Sequence, residues 1–261
     1  MIEFINIKKS FDGHRVLSGV DLKIEKGLVT AIIGGSGTGK SVLLKHIIGL
    51  IKPDGGKVIV DGEDIALLSY SELVRLRQKI SMVFQNSALF DSLSVGENLS
   101  MGIKRHTRLK RSEIDKEVSR ALELVGLKGI EDKFPAELSG GMRKRVAIAR
   151  ALVIKPDILL YDEPTTGLDP PRAESINKLI SGLNEKLGIT SVVVTHDMYS
   201  MFQVADQTAM LYDGVIRFYG APEQIAVSTD PVIREFLKSA SGCKWLFNYN
   251  RQEEEYATAQ I

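Results

Sequence analysis

The residues in this chain that can do chemistry sit at the ends of apolar runs. Gly34-Gly35-Ser36-Gly37-Thr38-Gly39-Lys40-Ser41 fits G-x-x-x-x-G-K-[ST], the pattern of a phosphate-binding loop. A buried-strand run, Thr30 to Ile33, precedes it, and a helical apolar run, Val42 to Leu50, follows it. The glycines permit backbone conformations that turn successive N–H groups toward a polyphosphate, and the helix start adds partial positive charge. Lys40 supplies a full cation for the β- and γ-phosphates, and the Ser41 hydroxyl can ligate Mg²⁺. Other strand ends carry Gln85 after Ile80 to Phe84, Asp162-Glu163 after Ile158 to Tyr161, and His196 after Ile189 to Thr195. Ligands bind at that edge of open α/β sheets. Asp162 is suited to hold Mg²⁺, directly or through water, and Glu163 to polarise an attacking water as general base. Gln85 can sense Mg²⁺ or that water, and His196 can donate to a γ-phosphate. A lone acid pair or histidine at a strand end is commonly structural, but the recurrence of polar strand ends favours chemistry.

These groups need an α/β scaffold. Residues Ile2 to Gly27 alternate apolar and polar, which predicts two or three half-exposed antiparallel strands. Phe11 lies upstream of the phosphate loop, where it either stacks on a nucleobase or serves as a core or edge aromatic. Lys52 to Gly56 reads as a turn cluster, Lys57 to Val60 as a short strand, and residues 71–79 as a helix. From about Asn86 the strands stop. Ser112 is the expected N-cap of a helix whose apolar face is Ile114, Val118, Ala121, Leu122 and Val125. The segment reads as a helical lobe inserted at about 86–152. It carries Lys104, Arg105, Arg108, Lys110 and Arg111. Without interleaved aromatics this cluster favours a solvated face over a nucleic-acid or lipid patch. Leu138-Ser139-Gly140-Gly141-Met142 opens a helix running from Arg143 to Leu152. Asp169 caps a helix with Pro170 and Pro171 in its first turn, and Gly188 stops it. Asp213-Gly214 joins a hairpin of Thr208 to Tyr212 and Val215 to Tyr219. Glu223 to Ser228 and Val232 to Ala240 are expected short helices. The division expected is a domain over 1–240 and a polar tail over 241–261 bearing Trp245, Phe247 and Tyr249.

Composition narrows the class. The chain has 261 residues, 44% of them hydrophobic, enough for a sizeable core. A formal net charge of +1 argues against a polyanionic partner, so no nucleic acid is expected. A single cysteine, Cys243, excludes an internal disulfide framework and fits a reducing compartment. Glu3, Lys8 and Lys9 interrupt any early apolar run, so no signal peptide is expected, and no run approaches the roughly 20 apolar residues of a membrane span. Membrane service, on this reading, runs through a partner.

The whole set resembles the nucleotide-binding domain of ATP-binding-cassette (ABC) proteins over about residues 2 to 238. The resemblance rests on the phosphate loop, Gln85, the signature Leu138-Ser139-Gly140-Gly141, the run Ile158 to Glu163, Gly167-Leu168-Asp169 and His196, all in the family order. It implies a RecA-like core, an antiparallel β lobe and a helical lobe. It implies catalytic roles for Glu163, His196 and Gln85, and Mg²⁺ contacts from Ser41, Gln85 and Asp162. ATP would be held by Phe11, by the loop from Gly34 through Ser41 with Val42, and by Ser139, Gly140, Gly141 and Asp169. Two copies would sandwich ATP head to tail, with the signature of one closing over the phosphate loop of the other. The fifth signature position, commonly glutamine in the family, is Met142, which puts the role of that amide in doubt. Leu89 and Phe90 either receive a coupling helix from a permease or belong to the lobe core.

Further runs, among them Ala88 to Leu93, Leu138 to Met142, Tyr161 to Pro170, Thr195 to Met198 and Arg217 to Gly220, resemble the ATPases of Mla-type lipid transporters, which work with MCE-domain proteins. That implies a second copy, a transmembrane permease and an MCE-type lipid-binding protein as partners, at the cytoplasmic face of an inner membrane. The alternatives are an importer ATPase for polar amino acids, a soluble ABC protein acting on ribosomes or DNA, and a nucleotide-sensing module, which would be expected to lose Glu163 or His196.

Overall fold

The computed structural model describes residues 1–239; the aromatic tail from 241 on lies outside the described residues. The chain opens with β1 (Ile2–Phe11) and β2 (His14–Ile24), an antiparallel pair, then β3 (Val29–Ile33) and α1 (Lys40–Ile47). β4 (Gly55–Val60), β5 (Glu63–Asp64), α2 (Tyr70–Gln78) and β6 (Ile80–Val83) follow. Three helices, α3 (Val95–His106), α4 (Arg111–Leu124) and α5 (Gly140–Leu152), occupy the chain before β7 (Ile158–Asp162). Then come α6 (Pro170–Leu187), β8 (Thr190–Thr195), α7 (Met198–Val204), β9 (Gln207–Tyr212), β10 (Val215–Gly220), α8 (Pro222–Ala226) and α9 (Pro231–Ser239).

Two sheets result. The smaller, in the order β2-β1-β4-β5, is antiparallel. The larger runs β10-β9-β3-β8-β7-β6 and is parallel from β9 to β6, with only β10 antiparallel at its edge. The central strands β3, β7 and β8 are buried along their whole length, as expected of strands covered on both faces. Parallel pairing puts the C-terminal ends of β3, β6, β7 and β8 on one edge, so the loops that follow converge there.

Three apolar clusters hold the layers. Ile2, Phe4, Ile7 and Leu17 of the small sheet pack with Ile32, Leu160, Val192 and the α1 residues Leu43 and Leu44. On the opposite face, Leu99, Leu122, Val146 and Ile148 join Tyr161, Val193, Ile176 and Ile180, which ties the inserted helices to the sheet. Met198, Met201, Met210, Ile225 and Ile233 close the outer flank over Ala31 and Ile33.

Residues Ile2 to Gly27 form two long strands, within the two or three expected. Other local details correct three expectations. Helix α4 starts at Arg111 behind Lys110, not behind Ser112, because the Glu113 carboxylate reaches back to accept from the Lys110 N–H at 2.7 Å. Helix α5 starts at Gly140, ahead of Arg143, because Ser139 Oγ accepts from the Met142 N–H. Strand β5 and helix α7 come in addition to the elements expected. The basic residues Lys104, Arg105, Arg108, Lys110 and Arg111 are all exposed.

Candidate functional site

The phosphate loop needs glycine where the backbone turns. Gly34 sits at φ 153°, and a Cβ there would run into the Leu211 carbonyl oxygen. Gly39, the N-cap residue of α1, sits at φ 102°, with an added Cβ 2.8 Å from Val16 Cγ1. No side chain caps α1 and its first turn carries no acid. Helices α2, α3, α5, α6 and α7, by contrast, are capped by Ser69, Ser94, Ser139, Asp169 and Asp197. The leading N–H groups of α1 therefore face the loop as an anion site. Ser36 and Gly37 form its exposed tip, and Thr38 Oγ1 donates to the Gly35 carbonyl at 2.9 Å. Lys40 Nζ donates to the carbonyls of Gly34 and Gly35 at 2.9 and 2.8 Å. Burial lowers its pKa, against the opposing pull of Glu163 and Asp162. Val42 packs toward the core between the sheets, so only its backbone can serve a phosphate.

The ends that follow β3, β7 and β8 meet. Ser41 Oγ donates to Asp162 Oδ1 at 2.7 Å, which sets two hard oxygens side by side. That donor set fits Mg²⁺, an ion that takes one or two protein oxygens and completes its shell with phosphate and water. Among the described residues no group of three or more His, Cys, Asp or Glu could hold a metal. Glu163 is 8% exposed and sits at φ 51°, a left-handed conformation that costs roughly 1–2 kcal/mol for a residue with a Cβ. Its Oε2 lies 2.8 Å from His196 Nδ1 and accepts from Thr166 Oγ1 at 3.0 Å, while its Oε1 is 4.0 Å from Lys40 Nζ. With Glu163 ionised the ring donates from Nδ1. A carboxylate held on several sides and open to the strand edge can orient and deprotonate a water.

Gln85 follows β6 and is exposed. Its backbone carbonyl accepts from Lys144 Nζ. Phe11 ends β1 with its ring 40% exposed, and the Lys9 ammonium lies 5.4 Å from the ring centroid. Phe11 pairs in register with His14, two residues before Val16, the neighbour of Gly39. The hairpin end thus lies beside the phosphate loop.

The signature residues stand apart from this group. Among the described residues no hydrogen bond or ion pair joins Ser139, Gly140 or Gly141 to the phosphate loop. Neither glycine is required internally: a Cβ at Gly140 or Gly141 would meet Leu168 Cδ2 at 3.6 Å or Arg172 Cδ at 3.7 Å, ordinary contacts. Arg143 donates to the Leu138 carbonyl at 2.8 Å and holds the turn. Met142 turns its side chain against the helical-side core. Asp169 caps α6 through the Arg172 N–H at 3.0 Å and pairs with the Arg172 guanidinium at 3.2 Å. Of the two residues offered to a coupling helix, Leu89 packs against the core and Phe90 is half exposed.

Sequence reasoning missed Lys144, Arg150 and Thr166. The first two donate to backbone carbonyls, which leave no side-chain signature. Thr166 lies three residues after Glu163, and its hydroxyl has a partner only once the turn has formed.

The match extends beyond the site. The ABC transporter family profile matches residues 17–166. A Mycobacterium leprae protein described as probable ribonucleotide transport ATP-binding protein mkl is 43% identical over 236 residues, 90% of this chain and 68% of its own length. The intermembrane phospholipid transport system ATP-binding protein MlaF of Haemophilus influenzae is 39% identical over 253 residues, 97% of this chain and 96% of its own. A dimeric ATP-binding cassette solved in a post-hydrolysis state with ADP and Pi superposes with a TM-score of 0.78 at 34% identity, covering 85% of this chain and 99% of that one. An uncapped phosphate loop, a buried glutamate at the sheet edge and a family match over more than half the chain agree: the chain belongs to the ABC transporter family, as an ATP-binding, ATP-hydrolysing subunit.

Proposed function

We propose that this chain powers a permease that moves phospholipid between two membranes, and that it works as a head-to-tail pair with an MCE-type lipid-binding protein in the same complex. The observation that carries the cargo assignment is the end-to-end likeness to MlaF, 39% identity across 96% of that protein. Among the described residues no helix is long and apolar enough to cross a membrane.

The geometry supports the following roles. Lys40, now folded onto its own loop carbonyls, exchanges them for phosphate oxygens. The open N-terminus of α1 receives the same phosphates, and Phe11 stacks on the base. Ser41, Asp162 and Gln85 would hold Mg²⁺. Mg²⁺, when bound, neutralises charge building up on the β- and γ-oxygens. Glu163 takes the proton of the attacking water. His196 orients Glu163 through Nδ1 and reaches the γ-phosphate with its other nitrogen, which requires the protonated ring or the other tautomer at that moment. One feature supports pairing. Gly140 and Gly141 open α5 where an added Cβ would meet only ordinary contacts, so nothing internal needs glycine there. Close approach by an external group explains them, and the phosphates held by a second copy are such a group.

The test is purification of the tagged chain from native membranes, with identification of its proteins and bound small molecules. A permease, an MCE-type protein and phospholipid are expected. The mycobacterial relative favours a second cargo, and a permease complex that carries ribonucleotide in place of lipid would select it. An amino-acid-binding protein with no lipid would make the chain a polar amino-acid importer ATPase. Ribosomal or DNA-bound partners without a permease would overturn transport altogether.

A further inference from the structure

Helix α5 carries more than the signature at its start. Lys144, five residues after Ser139, is 6% exposed, and its Nζ donates to the Gln85 carbonyl at 2.5 Å and to the Glu163 carbonyl at 3.4 Å. Among the described residues no carboxylate lies within salt-bridge distance of it. A buried ammonium held only by carbonyls is an uncommon and costly arrangement. Burial lowers its pKa while Glu163 and Asp162 pull it back up, so the cation sits in the field of both active-site acids. Two turns further along the same helix, Arg150 donates to the carbonyls of Ala88 and Ser87 at 2.6 and 3.0 Å. Ser87 and Ala88 are left-handed at φ 63° and 48°, as is Glu163 at φ 51°. Lys144 and Arg150 of α5 therefore hold two segments that carry left-handed residues.

We propose that Lys144 is a positioning residue that locks the signature helix to the backbone of Gln85 and Glu163, so that the seat of the helix sets the seat of both active-site side chains. One side chain from the helical lobe spans two segments of the sheet edge. A push on the Gln85 loop or a pull on the signature then reaches Glu163 without any contact between Ser139 and the phosphate loop. Lys144 touches no reacting atom in this arrangement. The inference rests on the assignment of Gln85 and Glu163 to the ATPase site.

The experiment compares wild type with Lys144→Met, Lys144→Gln and Lys144→Arg in the full chain, measuring kcat and KM for ATP hydrolysis, MgADP affinity and thermal unfolding. Lys144→Met is expected to lower kcat by about 10²-fold, the scale of a misplaced catalytic group. KM and MgADP affinity stay within about twofold of wild type on the same reasoning, since the phosphate loop is untouched. Lys144→Gln and Lys144→Arg, which keep a donor for the carbonyls, recover most of the rate. In single-turnover hydrolysis, Lys144→Met adds nothing to Glu163→Gln. An unchanged kcat overturns the inference. So does an equal loss in all three variants with matching loss of MgADP affinity, or additive losses with Glu163→Gln. If wild type itself hydrolyses no ATP under any condition, the site assignment fails and not the link through Lys144 alone.

Discussion

Glu163 adopts a backbone conformation that a residue with a Cβ avoids, and its carboxylate and its N–H are both held by neighbours. His196, Thr166 and Lys40 surround its carboxylate, and its N–H donates to the Val194 carbonyl at 2.9 Å. Glu163→Gln keeps the size and the left-handed turn but removes the base. Its ATP turnover is expected to fall by about 10²-fold or more, with nucleotide affinity retained; a rate assay beside equilibrium binding checks both. On the proposed reading Phe11 acts at the other end of the nucleotide. Base stacking is worth roughly 1–3 kcal/mol by alanine substitution, so Phe11→Ala should weaken ATP binding by about tenfold or more and leave kcat near wild type. A fluorescent-nucleotide titration that finds no change would return Phe11 to the role of an edge aromatic.

Side chains cap α2, α3, α5, α6 and α7, whereas α1 at the phosphate loop has no side-chain cap. Asp169 caps α6 with the same carboxylate that pairs with Arg172, so its structural and surface roles overlap. They separate by substitution. Asp169→Ala should cost about 1 kcal/mol of stability in denaturant unfolding, while Asp169→Asn keeps a cap at nearly full value. If Asp169 meets a second copy, both variants lose turnover; if it only caps, Asp169→Asn behaves as wild type. Element by element, much was legible in the residues. Gly34 to Ser41 between an apolar strand and an apolar helix, Asp169 ahead of two prolines, and Gly188 at φ 63° each specify their local structure. Other elements were not. Glu113 caps α4 from its third position, which made Ser112 look like the boundary. Helix α7 is capped by Asp197, whose carboxylate accepts from the Tyr199 and Ser200 N–H groups, beside a histidine that drew the chemical reading. Lys144 and Arg150 could not be read at all, because their partners are carbonyls that every residue possesses.

At the scale of the molecule, one sheet edge gathers the phosphate loop, Gln85, Asp162, Glu163 and His196, and the signature opens on a helix start that bonds to none of them. On the proposed reading the chain holds a nearly complete catalytic half and a second anion site at the start of α5, and two copies placed head to tail would complete each other. The direct measurement is ATP turnover per chain against chain concentration, with sedimentation of Glu163→Gln in MgATP at the same concentrations. Pairing predicts turnover per chain that climbs with concentration and then levels off, and an ATP-dependent dimer of Glu163→Gln. Full turnover per chain at every concentration, with the variant remaining a monomer in MgATP, would contradict it.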